Sequence, residues 1–113
     1  MCIRDRLDHR PVVAIVGQTF ARAMGGDFQQ EVNLLQLYSD LASAYVQQVT
    51  EPSTIRHMID RAMRIAQAER TVTCVIVPAD IQDMDAVPEQ PVKTHTVHSG
   101  VGWCCLLYTS RCV

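Results

Sequence analysis

The segment Asp27-Phe28-Gln29-Gln30-Glu31 comes nearest, in residue types and order, to a binding site in this 113-residue chain. It lies between a glycine-bearing loop and a leucine-patterned stretch that reads as a helix, whose first turn leaves backbone N–H groups unpaired. A carboxylate at Glu31 is favourable there through the helix dipole alone, which is a capping role. A neutral amide such as Gln30 both donates and accepts, so it suits orienting a carboxylate or carbonyl substrate. Gly17, Gly25 and Gly26 read as part of the loop after the first apolar run, where a phosphate cradle is conceivable. Neither G-x-G-x-x-G nor G-x-x-x-x-G-K-[ST] is present, which favours plain turn glycines.

The other reactive side chains have quieter readings. His95 and His98, with Cys104 and Cys105 beyond them, imitate a zinc ligand set by spacing. That stretch reads as linker and then a foreign tail, so no metal ligands are assigned. His57 falls off the apolar stripe of its helix and reads as solvated. His9 precedes the first strand, at the end of the sheet away from the expected ligand side. Cys74 shares a strand face with Val72 and Ile76 and reads as an inert core thiol. No Ser/His/Asp arrangement has supporting context.

These residues need elements to hold them. Pro11-Val12-Val13-Ala14-Ile15-Val16-Gly17 is an unbroken apolar run closed by glycine, the pattern of a strand buried on both faces of a parallel sheet. Thr71 to Pro78 repeats it, with Pro78 as the stop. Ser53 to Arg70 predicts a helix, because Ile55, Met58, Ile59, Ala62, Met63 and Ala66 recur at spacings of three and four. Pro52 suits its first turn, with Glu51 or Thr50 as the cap. Leu34, Leu37, Tyr38 and Leu41 pattern a second helix over Glu31 to Ser43, and Ala44–Gln48 reads as a short strand. From Gln82 onward, Pro88, Pro91 and mixed polar residues describe an extended linker. Strand, helix, short strand, helix, strand is an α/β order with parallel strands. Two or three strands are few for such a sheet. A strand as apolar as the first is therefore expected to have partners earlier in a longer chain.

Composition bounds the functional classes. Hydrophobic residues at 48% with 19% charged residues fit one globular domain rather than a disordered chain. A formal net charge of −2 does not match a nucleic-acid track or an anionic lipid surface. No apolar run approaches the ~18 residues a membrane span requires, and no signal-peptide core comes after Met1. Of five cysteines only Cys74 is internal, a poor disulfide framework. The chain reads as soluble and cytoplasmic.

The two ends break with the body. Residues 1–6 carry no periodicity that joins them to the first strand, and residues 104–113 are an apolar, cysteine-rich tail. Both resemble translated sequencing-adapter text and are set aside as artefacts. The competing reading of the tail is a short edge strand over Leu106–Thr109.

Four segments, in order, carry a family resemblance. Leu7 to Gln18, Gln29-Gln30-Glu31, Glu51-Pro52 and Val75-Ile76-Val77-Pro78-Ala79-Asp80-Ile81-Gln82 resemble the second half of the pyrimidine-binding domain of thiamine-diphosphate-dependent enzymes, in the pyruvate oxidase and acetolactate synthase group. The likeness covers Leu7 to Trp103. It implies a fragment of a flavodoxin-like parallel sheet with flanking helices. Residues 7–84 would be a partial pyrimidine-binding domain and residues 85–103 an interdomain linker.

By the same resemblance Gln30 matches the family glutamine that lines the active-site channel and hydrogen-bonds the substrate or intermediate. Gln29 stands where the family has Phe, and a register shifted by one pairs Phe28-Gln29 with the motif instead. Glu31 would cap and position the segment. The family's catalytic glutamate and its Gly-Asp-Gly…Asn motif for Mg²⁺ and diphosphate are not in this chain, and Gly26-Asp27-Phe28 is no substitute. Neither thiamine diphosphate nor Mg²⁺ is then expected to bind tightly here, and no cofactor-binding residue is assigned. The parent implied is a homodimer or homotetramer that decarboxylates a 2-keto acid such as pyruvate, with FAD where the product is oxidised. The chain alone is expected to be inactive. The alternative is a small α/β interaction module without catalysis, associating through its tail or sheet edges.

Overall fold

A computed structural model describes residues 2–88, and the elements keep the α/β order read from the sequence. Helix α1 (Cys2–Leu7) leads into strand β1 (Val12–Gln18), and a 3₁₀ turn (Ala21–Ala23) opens the long loop before helix α2 (Leu34–Tyr38). Strand β2 (Val46–Gln48), a 3₁₀ turn at Pro52–Thr54, helix α3 (Ile55–Glu69), strand β3 (Val72–Pro78) and helix α4 (Ala79–Gln82) complete the order. The three strands are parallel and lie in the order β1-β3-β2. Register runs from Val12 opposite Val72 to Gln18 opposite Pro78.

β3 is central and every residue in it is buried. Its side chains alternate between two cores, as strand geometry requires. Val75 and Val77 join Val49, Ala62 and Ile81 under α3. Val72, Cys74 and Ile76 join Ala42 on the opposite face, with Leu34, Tyr38 and Leu41 packed against them. Small residues let α3 approach the sheet: Ala62 and Ala66 are its two buried positions. Thr73, fully buried, resolves its polarity by donating its hydroxyl to the Ala62 carbonyl at 3.1 Å. The helix stops at Arg70, which takes a left-handed φ of 49°.

Five readings change against this fold. β1 is not enclosed on both faces: it forms one side of the described sheet, and Ile15 is 63% exposed. Gly17 belongs to β1, opposite Val77, not to the loop. The helix read over Glu31 to Ser43 is confined to five residues. Asn33 fixes its start, accepting the Gln36 N–H at 3.1 Å, and Ser39 closes it by donating its hydroxyl to the Gln36 carbonyl at 2.7 Å. Met63, placed on the α3 stripe, is 50% exposed, because it stands one residue past buried Ala62 and so turns away from the sheet. The linker read from Gln82 begins one residue later, because Gln82 is the last residue of α4.

Residues 2–7, which lack a pattern of their own, form α1. Cys2 packs against the α2-side core, and Arg6 reaches Asp40 at 3.0 Å. His57 and His9 are exposed, while Cys74 is buried. His95, His98, Cys104, Cys105, the 104–113 tail and most of the 85–103 linker lie outside the described residues. No described helix is long and apolar enough to cross a membrane.

Candidate functional site at the carboxyl end of the sheet

All three strands point the same way, so the loops that leave them gather at one end. The loop between Gln18 and Leu34 is the largest of these, and side chains rather than burial hold it. Gln18, only 8% exposed at the tip of β1, bridges its two ends. Its Nε2 donates to the Val32 carbonyl at 2.8 Å, and its Oε1 accepts the Thr19 N–H at 2.9 Å.

Two carboxylates fix the rest. Glu31 reaches back along the loop, its Oε1 accepting the Gly25 N–H at 2.7 Å and its Oε2 the Phe28 N–H at 3.1 Å. Asp80, on α4, accepts the Ala21 N–H at 3.0 Å and its neighbour Ile81 N–H at 3.1 Å, tying the 3₁₀ turn to the end of β3. The Gly25 and Phe28 amides hold the Glu31 carboxyl below its ordinary value, and the Ala21 amide does the same for Asp80. A glycine suits the first contact, because Gly25 takes a φ of +89° there.

Gln30 sits at the outer bend of this loop. It is exposed, its φ is +69°, and its side chain makes no hydrogen bond among the described residues. A primary amide with four bonding positions is thus presented to solvent from a backbone held on either side by Glu31 and Gln18. Gln29 is its exposed neighbour and Phe28 is 48% exposed, so both registers of the motif fall in the same bend. The arrangement can orient a polar ligand. The Glu31 carboxylate beside it is committed to two backbone amides and so serves the loop's shape rather than proton transfer.

Glu31 works differently from the cap read in the sequence. Asn33 caps α2, and Glu31 folds the loop. Asp80 and Gln18 fall inside the segments that carry the family resemblance, but the sequence assigns neither an organising role, although each closes or succeeds an apolar run, where a lone polar residue commonly ends a turn. Gly25 is no phosphate cradle, because its N–H is taken by Glu31. Two shallow hollows lie at the opposite, amino end of the strands, one lined by Ile3, Leu7, Leu37, Tyr38 and Leu41. The other includes His9, Ser43 and Thr71, also remote from Gln30 in the fold.

Over 76 residues, 67% of its length, the chain is 40% identical to a pyruvate oxidase of Lactiplantibacillus plantarum. The chain is related to a segment of the thiamine-diphosphate-dependent enzymes. A putative thiamine pyrophosphate-containing protein of Bacillus subtilis is 28% identical over 93 residues, 82% of this chain. The aligned stretch covers 12% of the first relative's length and 16% of the second's. No family model matches.

The described residues do not fit a complete thiamine diphosphate site. Holding the cofactor's diphosphate calls for a divalent cation with several oxygen ligands. No group of three or more His, Cys, Asp or Glu side chains that could hold a metal occurs among the described residues. Glu31 spends both carboxylate oxygens on backbone amides, and Asp80 Oδ1 accepts two more. No catalytic step through the cofactor is derived from this chain.

Proposed function

We propose that this chain forms part of the substrate-facing wall of a thiamine-diphosphate-dependent enzyme that decarboxylates a 2-keto acid such as pyruvate, with Gln30 as the residue that contacts the reacting molecule. The observation that carries this reading is the exposed Gln30 amide, without a hydrogen bond among the described residues, on a loop braced by Glu31, Gln18 and Asp80. The similarity to a pyruvate oxidase supports the choice of keto acid. In this reading residues 7–84 are a partial pyrimidine-binding domain and 85–103 a linker to the next. The cofactor and Mg²⁺ are held by other parts of the parent, FAD serves as oxidant if the parent is an oxidase, and the parent is a cytoplasmic homodimer or homotetramer.

Gln30 would donate from Nε2 to a substrate carboxylate or accept at Oε1 from a developing hydroxyl. The Glu31 clamp keeps the bend from relaxing, which preserves that aim when water competes. The test joins residues 7–88 into a complete homologous enzyme in place of its own segment. Gln30→Ala in that chimera is expected to lower turnover about tenfold to a hundredfold, the loss of one hydrogen bond to a charged group at ~1.5–3 kcal/mol. Thiamine diphosphate affinity should stay unchanged. Weakened cofactor binding with intact turnover at saturation would give Gln30 a different role.

A further inference from the structure

The bend that presents Gln30 is a four-residue turn, closed by the Glu31 N–H donating to the Phe28 carbonyl at 2.9 Å. Gln30 stands third in it with a φ of +69°, a conformation that favours glycine or asparagine at that place. Such a turn keeps a glutamine only where its surroundings hold it there. The holding bonds can be followed outward from the bend. Glu31 ties Phe28 to Gly25, and the Gly26 N–H donates to the Ala23 carbonyl at 3.4 Å. The Met24 N–H donates to the Ala21 carbonyl at 3.4 Å, which closes the 3₁₀ turn. At Ala21 the path leaves the loop: its N–H donates to Asp80 Oδ1 at 3.0 Å, across 59 residues of sequence.

Asp80 is a fixed post for that path. Ile81, beside it, is buried against Val49, Ala62, Val75 and Val77. Gln82 Nε2 donates to the Val77 carbonyl at 2.8 Å, so α4 is pinned to β3 by a core side chain and by a hydrogen bond. Gln18 joins the two ends of the loop to each other and does not fix its outer half. Gln48 on β2 adds a weaker contact, from Nε2 to the Met24 sulfur at 3.6 Å.

We propose that Asp80 is a positioning residue for the reaction, setting through the hydrogen-bonded path from Ala21 to Glu31 where the Gln30 amide meets the substrate. The proposal rests on Gln30 being the residue that contacts the keto acid. Every bond of the path joins residues of this chain, so the rest of the parent is not required to form it. Asp80 takes no part in the chemistry itself, because its Oδ1 is occupied by the Ala21 and Ile81 amides. Its effect is geometric. A misplacement of about 1 Å at a reacting centre costs on the order of a hundredfold in rate, so a loop that shifts by part of that distance loses turnover without unfolding.

The test uses the chimera in which residues 7–88 replace the matching segment of a complete homologous enzyme. Asp80→Ala is expected to lower kcat about tenfold, with KM for the keto acid, thiamine diphosphate affinity and the thermal midpoint little changed. Asp80→Asn keeps an oxygen for the Ala21 N–H and should restore most of that loss. In a Gln30→Ala background, Asp80→Ala should change kcat no further, because the side chain it displaces is gone. Ala21→Pro removes the donor from the loop side. Phe20 before it is already extended, with ψ of 128°, and proline suits the first position of a helical turn. It should lower kcat in the same direction, which decides the matter even if Asp80→Ala fails to fold. An equal loss in Asp80→Asn, an undiminished loss in the Gln30→Ala background, or full turnover in Ala21→Pro would overturn the proposal. A chimera in which Gln30→Ala leaves kcat intact refutes the substrate contact instead. The path itself then stands or falls on the Gln30 amide resonance of the full 113-residue chain, which should move in Asp80→Ala and return in Asp80→Asn.

Discussion

β3 and the loop from Thr19 to Asn33 are both ordered, and they are ordered by opposite means. β3 is buried along its whole length between two helical layers, and side-chain hydrogen bonds touch it only near its ends, from the Thr73 hydroxyl and from Gln82 Nε2 to the Val77 carbonyl. The loop is mostly exposed, and its shape comes from Gln18, Glu31 and Asp80 closing on backbone amides and a carbonyl. Order from burial is shared over many contacts and fails all at once. Order from a few polar atoms can be removed one atom at a time. A binding loop built the second way can be altered without threatening the fold.

The contrast can be broken hardest at Ile76, among the largest fully buried side chains of the sheet. Ile76→Ala should cost about 2–5 kcal/mol, measured by urea unfolding. Cys74 supplies an independent reading of the same event. Burial pushes its thiol up to about 11, so at pH 8 it should react with a thiol reagent only through unfolding, and faster in Ile76→Ala. Reaction of Cys74 at a rate independent of that substitution would mean that β3 opens locally.

A milder cut at the same strand is Thr73→Val. It removes the hydroxyl bond to the Ala62 carbonyl while keeping the volume, and should cost about 1 kcal/mol in the same unfolding experiment. On the loop side, Glu31→Ala should leave the unfolding midpoint almost where it was. The amide resonances of Gly25 and Phe28 should nonetheless collapse toward random-coil positions. A large drop in global stability would show that the loop is part of the core after all.

Acid gives the smallest and most graded version of that experiment. The folded-state value of Glu31 lies below its ordinary 4.5, so the unfolded chain takes up the proton first as pH falls. Any stability the clamp confers is fully present above pH 4.5. It declines below that, and is gone once pH passes through the lowered folded value. Asp80 has the same sign from its ordinary 3.8. The Gly25 and Phe28 amide shifts should therefore titrate with a midpoint below 4.5, with Ala21 tracking Asp80, while the β3 amides hold still.

The same contrast explains what is legible in the sequence. Unbroken apolar runs announce β1 and β3, and a stripe of three- and four-residue spacing announces α3, because burial leaves a periodic mark. Position within the sheet leaves none: Val12–Val16 and Val72–Val77 look alike, yet one strand is central and the other carries the exposed Ile15. Helix α2 reads too long because Leu41 continues a leucine spacing that the chain actually meets in a turn. The loop is least legible. Gln30 is marked by its amide chemistry and by resemblance rather than by any period, and the grip of Glu31 on Gly25 depends on a six-residue reversal that no period records.

Gln18 carries one more consequence. By joining Thr19 to Val32 it makes the loop a ring clasped at its base, with the sheet on the far side of the clasp. Lengthening or shortening inside a ring alters its circumference without moving the point where it hangs. Insertions beside Gly26 and Asp27, within the span that Glu31 closes, should therefore change what the rim can touch and leave the strand register untouched. Replacing Gln18 would open the ring, and the same insertion would then be felt at the end of β1. One amide thus divides a part of the molecule that is free to diversify from a part that is not.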